Sequence, residues 1–207
     1  MSQPTRSRRK FLLQDWHRYS DNPPTWKAVL SALLFNAGFL AVFLFRMSQL
    51  LQARKRTFRS KLVRRLNLAL NAAELSPDAV VGPGLFVVHP YGVGIGGGCK
   101  LGKDVTLYQG VSLGAKTLGF RGEERVTDYP QIGDGVILYA HVLVYGPVQV
   151  GDETVVLGNS VVSSDLPGHA TYGGIPAKEI RRSRRYSAQD LRSKVSAEHA
   201  DEEGASE

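Results

Sequence analysis

Through the second half of this 207-residue chain an aliphatic residue returns every six positions. The count runs Leu75, Val81, Val87, slips by two, resumes at Ile95, Leu101, Leu107 and Leu113, and breaks again. It continues through Ile132, Leu138, Val144, Val150, Val156 and Val162. All thirteen positions are Leu, Ile or Val. The following residue is often Gly (Gly82, Gly96, Gly102, Gly114, Gly133, Gly151), and the residue four along is usually small or β-branched, as at Ala79, Cys99, Val105 and Val142. A period of six is neither the strand's two nor the helix's 3.6. It predicts short strands that meet at corners and stack into a triangular prism, a hexapeptide β-solenoid from about Leu75 to Pro167.

The first third is patterned differently. Residues 1–10 read as disordered and 11–21 as a short helix before Asn22-Pro23-Pro24. Residues 25–52 read as one long helix capped by Thr25. Ala28 to Phe45 is an uncharged run of 18 residues, the lower limit for a membrane span. Asn36 and Gly38 in its middle, with basic residues on both flanks, favour a helix buried in an oligomer or lying on a membrane surface instead. A basic amphipathic helix is expected from Lys55 to Ala73, with Leu62, Leu66 and Leu70 on one face. Three regions follow: a helical arm over 1–73, the solenoid over 74–180 and a charged tail over 181–207, helical at first and then disordered.

The net charge of +7 is concentrated in the arm. Residues 1–70 hold fourteen Lys and Arg against Asp15 and Asp21, whereas 71–180 hold six basic and eleven acidic residues. With no nucleic-acid module alongside, the excess points to a solvated helix face, an anionic surface or an anionic substrate rather than nucleic acid. The single Cys99 excludes an internal disulfide and falls at an inward position. The basic start is followed by polar residues rather than an apolar leader, which sets a cytoplasmic expectation, with the arm allowing a place at the inner face of the membrane.

Val and Gly walls carry little chemistry, so the breaks in the period matter most. His89 lies in the two-residue slip, where a side chain is re-aimed. Glu74 precedes the first repeat, and counting by coils of ~18 residues predicts that it stacks near His89. A carboxylate behind an imidazole fixes its tautomer and stabilises the imidazolium, which lets the His take a proton from an attacking hydroxyl. His141 is a second candidate, and His169 lies in the exit turn. Isolated histidines do not make a zinc site, so no metal is expected.

At these residues the chain resembles the hexapeptide-repeat acyltransferases, and within them is most similar to the serine O-acetyltransferases. The likeness spans about residues 15–180. It includes Asn22-Pro23, Gly38-Phe39, Arg46, Glu-Leu-Ser-Pro at 74–77, the His89 bulge, Tyr-Gln-Gly-Val-Ser-Leu-Gly at 108–114, and Gly-Ile-Pro-Ala-Lys at 174–178. The resemblance implies a left-handed parallel β-helix and acetyl-CoA as acyl donor. His89 takes the part of general base and Glu74 orients it. The donor lies in a groove between the subunits of a homotrimer, with Gly114, Ala115, Ala140 and Gly158 along the pantetheine and Lys178 at a CoA phosphate. A second resemblance, of Ile137-Leu138-Tyr139-Ala140-His141-Val142 to the histidine coil of galactoside and maltose acetyltransferases, makes His141 a rival base.

The departures shape the acceptor. Where serine enzymes carry acidic residues and an Arg-His pair for the amino-acid zwitterion, this chain has Asn22, Val88 and Asp128-Tyr129. An unpaired substrate charge is costly. The expectation is therefore a sugar or polysaccharide-precursor hydroxyl, with Tyr91, Tyr129 and Tyr139 suited to sugar faces; L-serine is the alternative, and a non-catalytic scaffold a third. Glu207 in place of an apolar terminal residue argues against a cysteine-synthase complex, and the short arm favours a trimer over a hexamer.

Overall fold

The structure, a computed structural model, describes the backbone of residues 5–121 and 124–182 and the side chains of residues 11–116 and 128–181. Its helical arm comprises α1 (Thr5–Trp16), α2 (Trp26–Phe35), α3 (Ala37–Ala53) and α4 (Thr57–Asn71). Helix α1 starts earlier than expected, so residues 5–10 are helical rather than disordered. The long helix expected over 25–52 is two helices bent by 106°. Asn36 is the cause: it ends α2 and caps α3, with its side chain accepting from the Phe39 N–H at 2.9 Å. Among the described residues no single helix is long and apolar enough to cross a membrane; the bent pair meets that test only jointly.

The solenoid stands as read, a left-handed β-helix of five coils. The first holds β1 (Glu74–Leu75), β2 (Val80–Val81) and β3 (Phe86–Val87), and the second β4 (Gly94–Ile95), β5 (Lys100–Leu101) and β6 (Thr106–Leu107). The third opens with β7 (Ser112–Gly114), leaves the prism as a hairpin of β8 (Lys116–Arg121) and β9 (Glu124–Asp128), and returns through β10 (Gln131–Ile132) and β11 (Ile137–Leu138). The fourth is β12 (Leu143–Tyr145), β13 (Gln149–Val150) and β14 (Val155–Val156). The fifth is β15 (Val161–Val162), a bridge at Leu166 and β16 (Ala170–Gly173), on which β17 (Lys178–Arg182) folds back antiparallel. The first face is β1-β4-β7-β12-β15, the second β2-β5-β10-β13, and the third β3-β6-β11-β14-β16-β17. The tail beyond residue 182 lies outside the described residues.

The aliphatic positions fill the prism. Leu75, Ile95, Leu113, Val144 and Val162 stack on the first face, and Val87, Leu107, Leu138, Val156 and Tyr172 on the third, all buried. Each contributes roughly 1.5–3 kcal/mol of burial. The arm is bolted to the first coil by a buried ion pair. Arg46 Nε meets Asp15 Oδ2 at 2.8 Å, and its guanidinium also donates to the carbonyls of Val81 (2.9 Å) and Gly82 (2.6 Å). Asp15 Oδ1 accepts from the Leu85 N–H at 2.9 Å. Gly38 of α3 sits directly on the end of β3, where no side chain fits.

Candidate active site

The functional residues gather at the corners, and register decides which. Strand β1 pairs with β4 through Glu74–Gly94, a step of 20 residues, and β7 pairs with β12 through Ser112–Leu143, a step of 31. The ordinary step is 18, as from Gly94 to Ser112. The two-residue slip and the hairpin therefore shift the count without disturbing the stack.

At the corner from the third face to the first, one column of residues lies in the left-handed region: Ala72, Gly92, Gly110, His141, Asn159 and Gly174, with φ between 49° and 99°. Main-chain bonds tie it together: Gly92 N–H to Ala72 O, His141 N–H to Gln109 O and Asn159 N–H to Ala140 O. His89 and Tyr91 occupy the first-coil segment of this corner, and His141 the third-coil segment. The two histidines thus stand on one edge, two coils or roughly 10 Å apart. Both are exposed. The His141 ring lies against Gly110, so close that a Cβ there would come within 2.7 Å of its Cε1. His169 occupies the equivalent left-handed place at the corner from the second face to the third, and its N–H bonds Asp152 O at 2.8 Å.

The first step is 20 residues, so Glu74 pairs with Gly94, five residues beyond His89, and its N–H donates to Val93 O at 2.8 Å. Its carboxylate is held by Arg64 of α4, half-exposed, and no hydrogen bond joins it to His89.

The other predicted residues divide between two corners. Ala140 and Gly158 lie along the His89–His141 edge, and an added Cβ at Gly158 would come within 3.1 Å of the Ala140 carbonyl. Exposed Lys178 follows the fifth-coil turn of the same edge. Gly114, Ala115, Asp128 and Tyr129 lie instead at the corner from the first face to the second, where the hairpin leaves. Tyr129 is half-buried: its ring covers Gly98, whose Cβ would fall within 2.6 Å of the ring, and one side of it packs on the core. Gly114 lies under the Tyr145 ring. Asn22 is exposed beyond α1, its carbonyl accepting from Trp16 Nε1 at 2.7 Å. One protomer therefore does not bring its two sets of residues together.

Three features were missed in the sequence. Tyr108 and Tyr139 stack at 4.8 Å on the His-bearing edge, and burial raises the Tyr108 hydroxyl's pKa, with Tyr139 adding to the effect. Gln109, next along, carries a buried side-chain oxygen with no hydrogen-bond partner among the described residues. Gly38 sets α3 against Val87 and Val88, immediately before His89. Counting the true coil steps of 20 and 31 would have revealed the first two, since both belong to the column that holds the histidines.

Among the described residues no group of three His, Cys, Asp or Glu is placed to hold a metal ion. No family model matches the chain. It is 34% identical over 167 residues to the serine acetyltransferase of Helicobacter pylori, an alignment covering 81% of this chain and 95% of that enzyme. The Neisseria gonorrhoeae serine acetyltransferase structure superposes with a TM-score of 0.72 at 27% identity, over 89% of this chain and 70% of that one. The soybean serine acetyltransferase complexed with serine gives 0.71 at 28%, over 84% and 70%. With the solenoid, the helical arm and most of the chain accounted for in this way, the protein belongs to the serine acetyltransferase family of acyl-CoA-dependent O-acyltransferases.

Proposed function

We propose that this chain transfers the acetyl group of acetyl-CoA to the hydroxyl of L-serine, in a homotrimer, with His89 as general base. The observation that carries the reading is the 34% identity across 95% of the H. pylori serine acetyltransferase. The expectation of a sugar or polysaccharide acceptor has no support among these relatives, and serine fits them better.

In this reading His89 takes the proton of the serine hydroxyl as its oxygen attacks the thioester carbonyl. The C–O bond forms, the C–S bond breaks, and the proton passes from the imidazolium to the departing CoA thiolate. The pantetheine lies along Ala140 and Gly158, with Lys178 at a phosphate. Gly114 and Ala115, at the far corner of the same face, complete the groove from the neighbouring subunit. A closed three-fold ring is the simple way to set one corner against another. Glu74 orients His89 through its second carboxylate oxygen, the first being held by Arg64.

Val88, Asp128 and Tyr129 supply less charge to the amino-acid zwitterion than an acid and an Arg-His pair would. They weaken ground-state binding, so KM for serine is high while kcat is retained. The test is release of free CoA thiol from acetyl-CoA with L-serine and, in parallel, a panel of sugars. His89→Ala is expected to lower kcat 10²- to 10⁴-fold. Turnover with a sugar and none with serine overturns the acceptor.

A further inference from the structure

Helix α4 is built inside out. Its buried residues are polar: Ser60 donates to Ser48 O at 2.8 Å, Asn67 donates to Ala41 O at 2.9 Å, and Asn71 donates to Asn67. Its apolar residues face away from the protein, with Phe58 79%, Leu62 61%, Leu66 46% and Leu70 58% exposed. At ~100° per residue these four cover an arc of roughly 120° and a length of about 18 Å. Arg59 lies about 60° round the helix from Leu62 on one side, and Arg65 about 60° and Lys61 about 100° round on the other. All three are exposed, and none is ion-paired among the described residues. Arg54, Lys55 and Arg56 precede the helix, and residues 53–73 contain no Asp or Glu.

We infer that the outer face of α4 is a docking surface for an anionic lipid bilayer. An apolar stripe edged by long cations is the arrangement that lies in the headgroup plane: the leucines enter the acyl boundary while the Lys and Arg stems reach out to phosphates. Charge decides the occupant. A second copy applied through the same face would bring two sets of cations together with no acid on either helix to offset them. An anionic headgroup layer complements every one of them. The apolar α2 buries no residue at all, but Lys27 is its only charge, so the inference rests on α4. It is independent of the acceptor.

The full-length chain is sedimented with vesicles of phosphatidylcholine alone and of phosphatidylcholine with phosphatidylglycerol at three to one, at 50 mM and 500 mM salt. Light scattering gives its mass without lipid. Wild type is expected on the phosphatidylglycerol vesicles at low salt only. Leu62→Glu with Leu66→Glu should abolish binding, and replacing Arg59, Lys61 and Arg65 by Gln should weaken it about a hundredfold. These positions lie outside the machinery assigned above, so the rate of acetyl transfer and the circular dichroism spectrum serve as folding controls. Three results overturn the inference: no binding to anionic vesicles, equal binding by the double Glu variant, or a lower solution mass for that variant, which would place a second copy on the face.

Discussion

Replacing Gly38 by Ala adds a single methyl group at the junction between the helical arm and the coil that carries His89. On propensity alone the change should help, since Ala is favoured over Gly in a helix by up to ~1 kcal/mol. Geometry opposes it. The new Cβ would fall on the Val87 carbonyl oxygen, 3.2 Å from the Val87 carbonyl carbon and 3.3 Å from the Val88 oxygen. These are main-chain atoms of a strand anchored to the next coil through Val88 N–H to Leu107 O, and the Val87 oxygen itself accepts from the Tyr19 hydroxyl at 3.1 Å, so they do not move aside. Helix α3 must therefore retreat by roughly an ångström to reach ordinary contact distance. The retreat loosens Phe39, which packs edge-on against Trp16 at 5.3 Å and Tyr19 at 5.4 Å. Overpacking costs about 1–3 kcal/mol, and a Cβ driven onto main-chain atoms belongs in the upper part of that range, about 2–3 kcal/mol. Net of the propensity gain, the melting temperature should fall by about 2–8 °C for a chain of this size. Because His89 directly follows the crowded residues, a comparable displacement there should lower kcat by up to ~10²-fold. Thermal unfolding followed by circular dichroism, with the CoA-thiol assay alongside, measures both. Gly94→Ala is the control for stability, since its nearest neighbour would be 3.7 Å away. A Gly38→Ala protein as stable and as active as wild type would refute the argument that this contact fixes the His89 end of β3.

Asp15→Ala leaves the Arg46 guanidinium buried without its carboxylate and should cost about 3–5 kcal/mol in denaturant unfolding, with Asp15→Ala/Arg46→Met recovering much of the loss. His141→Gly keeps the left-handed turn and removes a side chain that strains it, so stability should hold or rise by up to ~1–2 kcal/mol. If His89 is the base, activity stays within a few fold; a hundredfold loss would move the proton transfer to His141. Val88→Asp restores an acid beside His89 and should lower KM for serine with little change in kcat; an unchanged KM would show that the site does not hold the ammonium there. The Cys99 thiol is buried and its pKa is pushed up from 9.0 to about 11 by that burial. It should resist a thiol reagent at pH 8 until the chain is unfolded. Since the folded state holds this proton more tightly, its contribution to stability is complete below pH 9 and is lost as pH rises toward 11.

The prism was legible because its rule is local and repeated: every sixth residue points inward, and one Leu, Ile or Val serves as well as another. The arm was less so. The sequence from Trp26 to Ala53 is helical in composition throughout, and only the side-chain oxygen of Asn36 decides that the axis turns there. The corner chemistry was half legible. His89 stands out because the period slips at it, but the Arg64 side chain of α4 that meets Glu74 at the same end of the prism follows from no repeat. Tyr129 stands out in the sequence where the resemblance has an Arg-His pair, but no local pattern shows that the bare Gly96 and Gly98 leave a recess against which its ring lies. Contacts between coils depend on the summed insertions before them, and no local pattern reports that sum.

The corner column that runs from Ala72 to Gly174 is in effect a ruler. Each coil adds one strand spacing, so the first-coil turn bearing His89 and the fifth-coil turn before Lys178 are separated by four increments of ~4.8 Å, about 19 Å in all. In the reading proposed above, one end marks where a thioester reacts and the other where a phosphate is held. The number of coils then selects the length of the donor arm between them. Removing or adding one 18-residue coil would change that length by about 5 Å while leaving both ends chemically intact. In that reading the donor is chosen by counting as much as by contact.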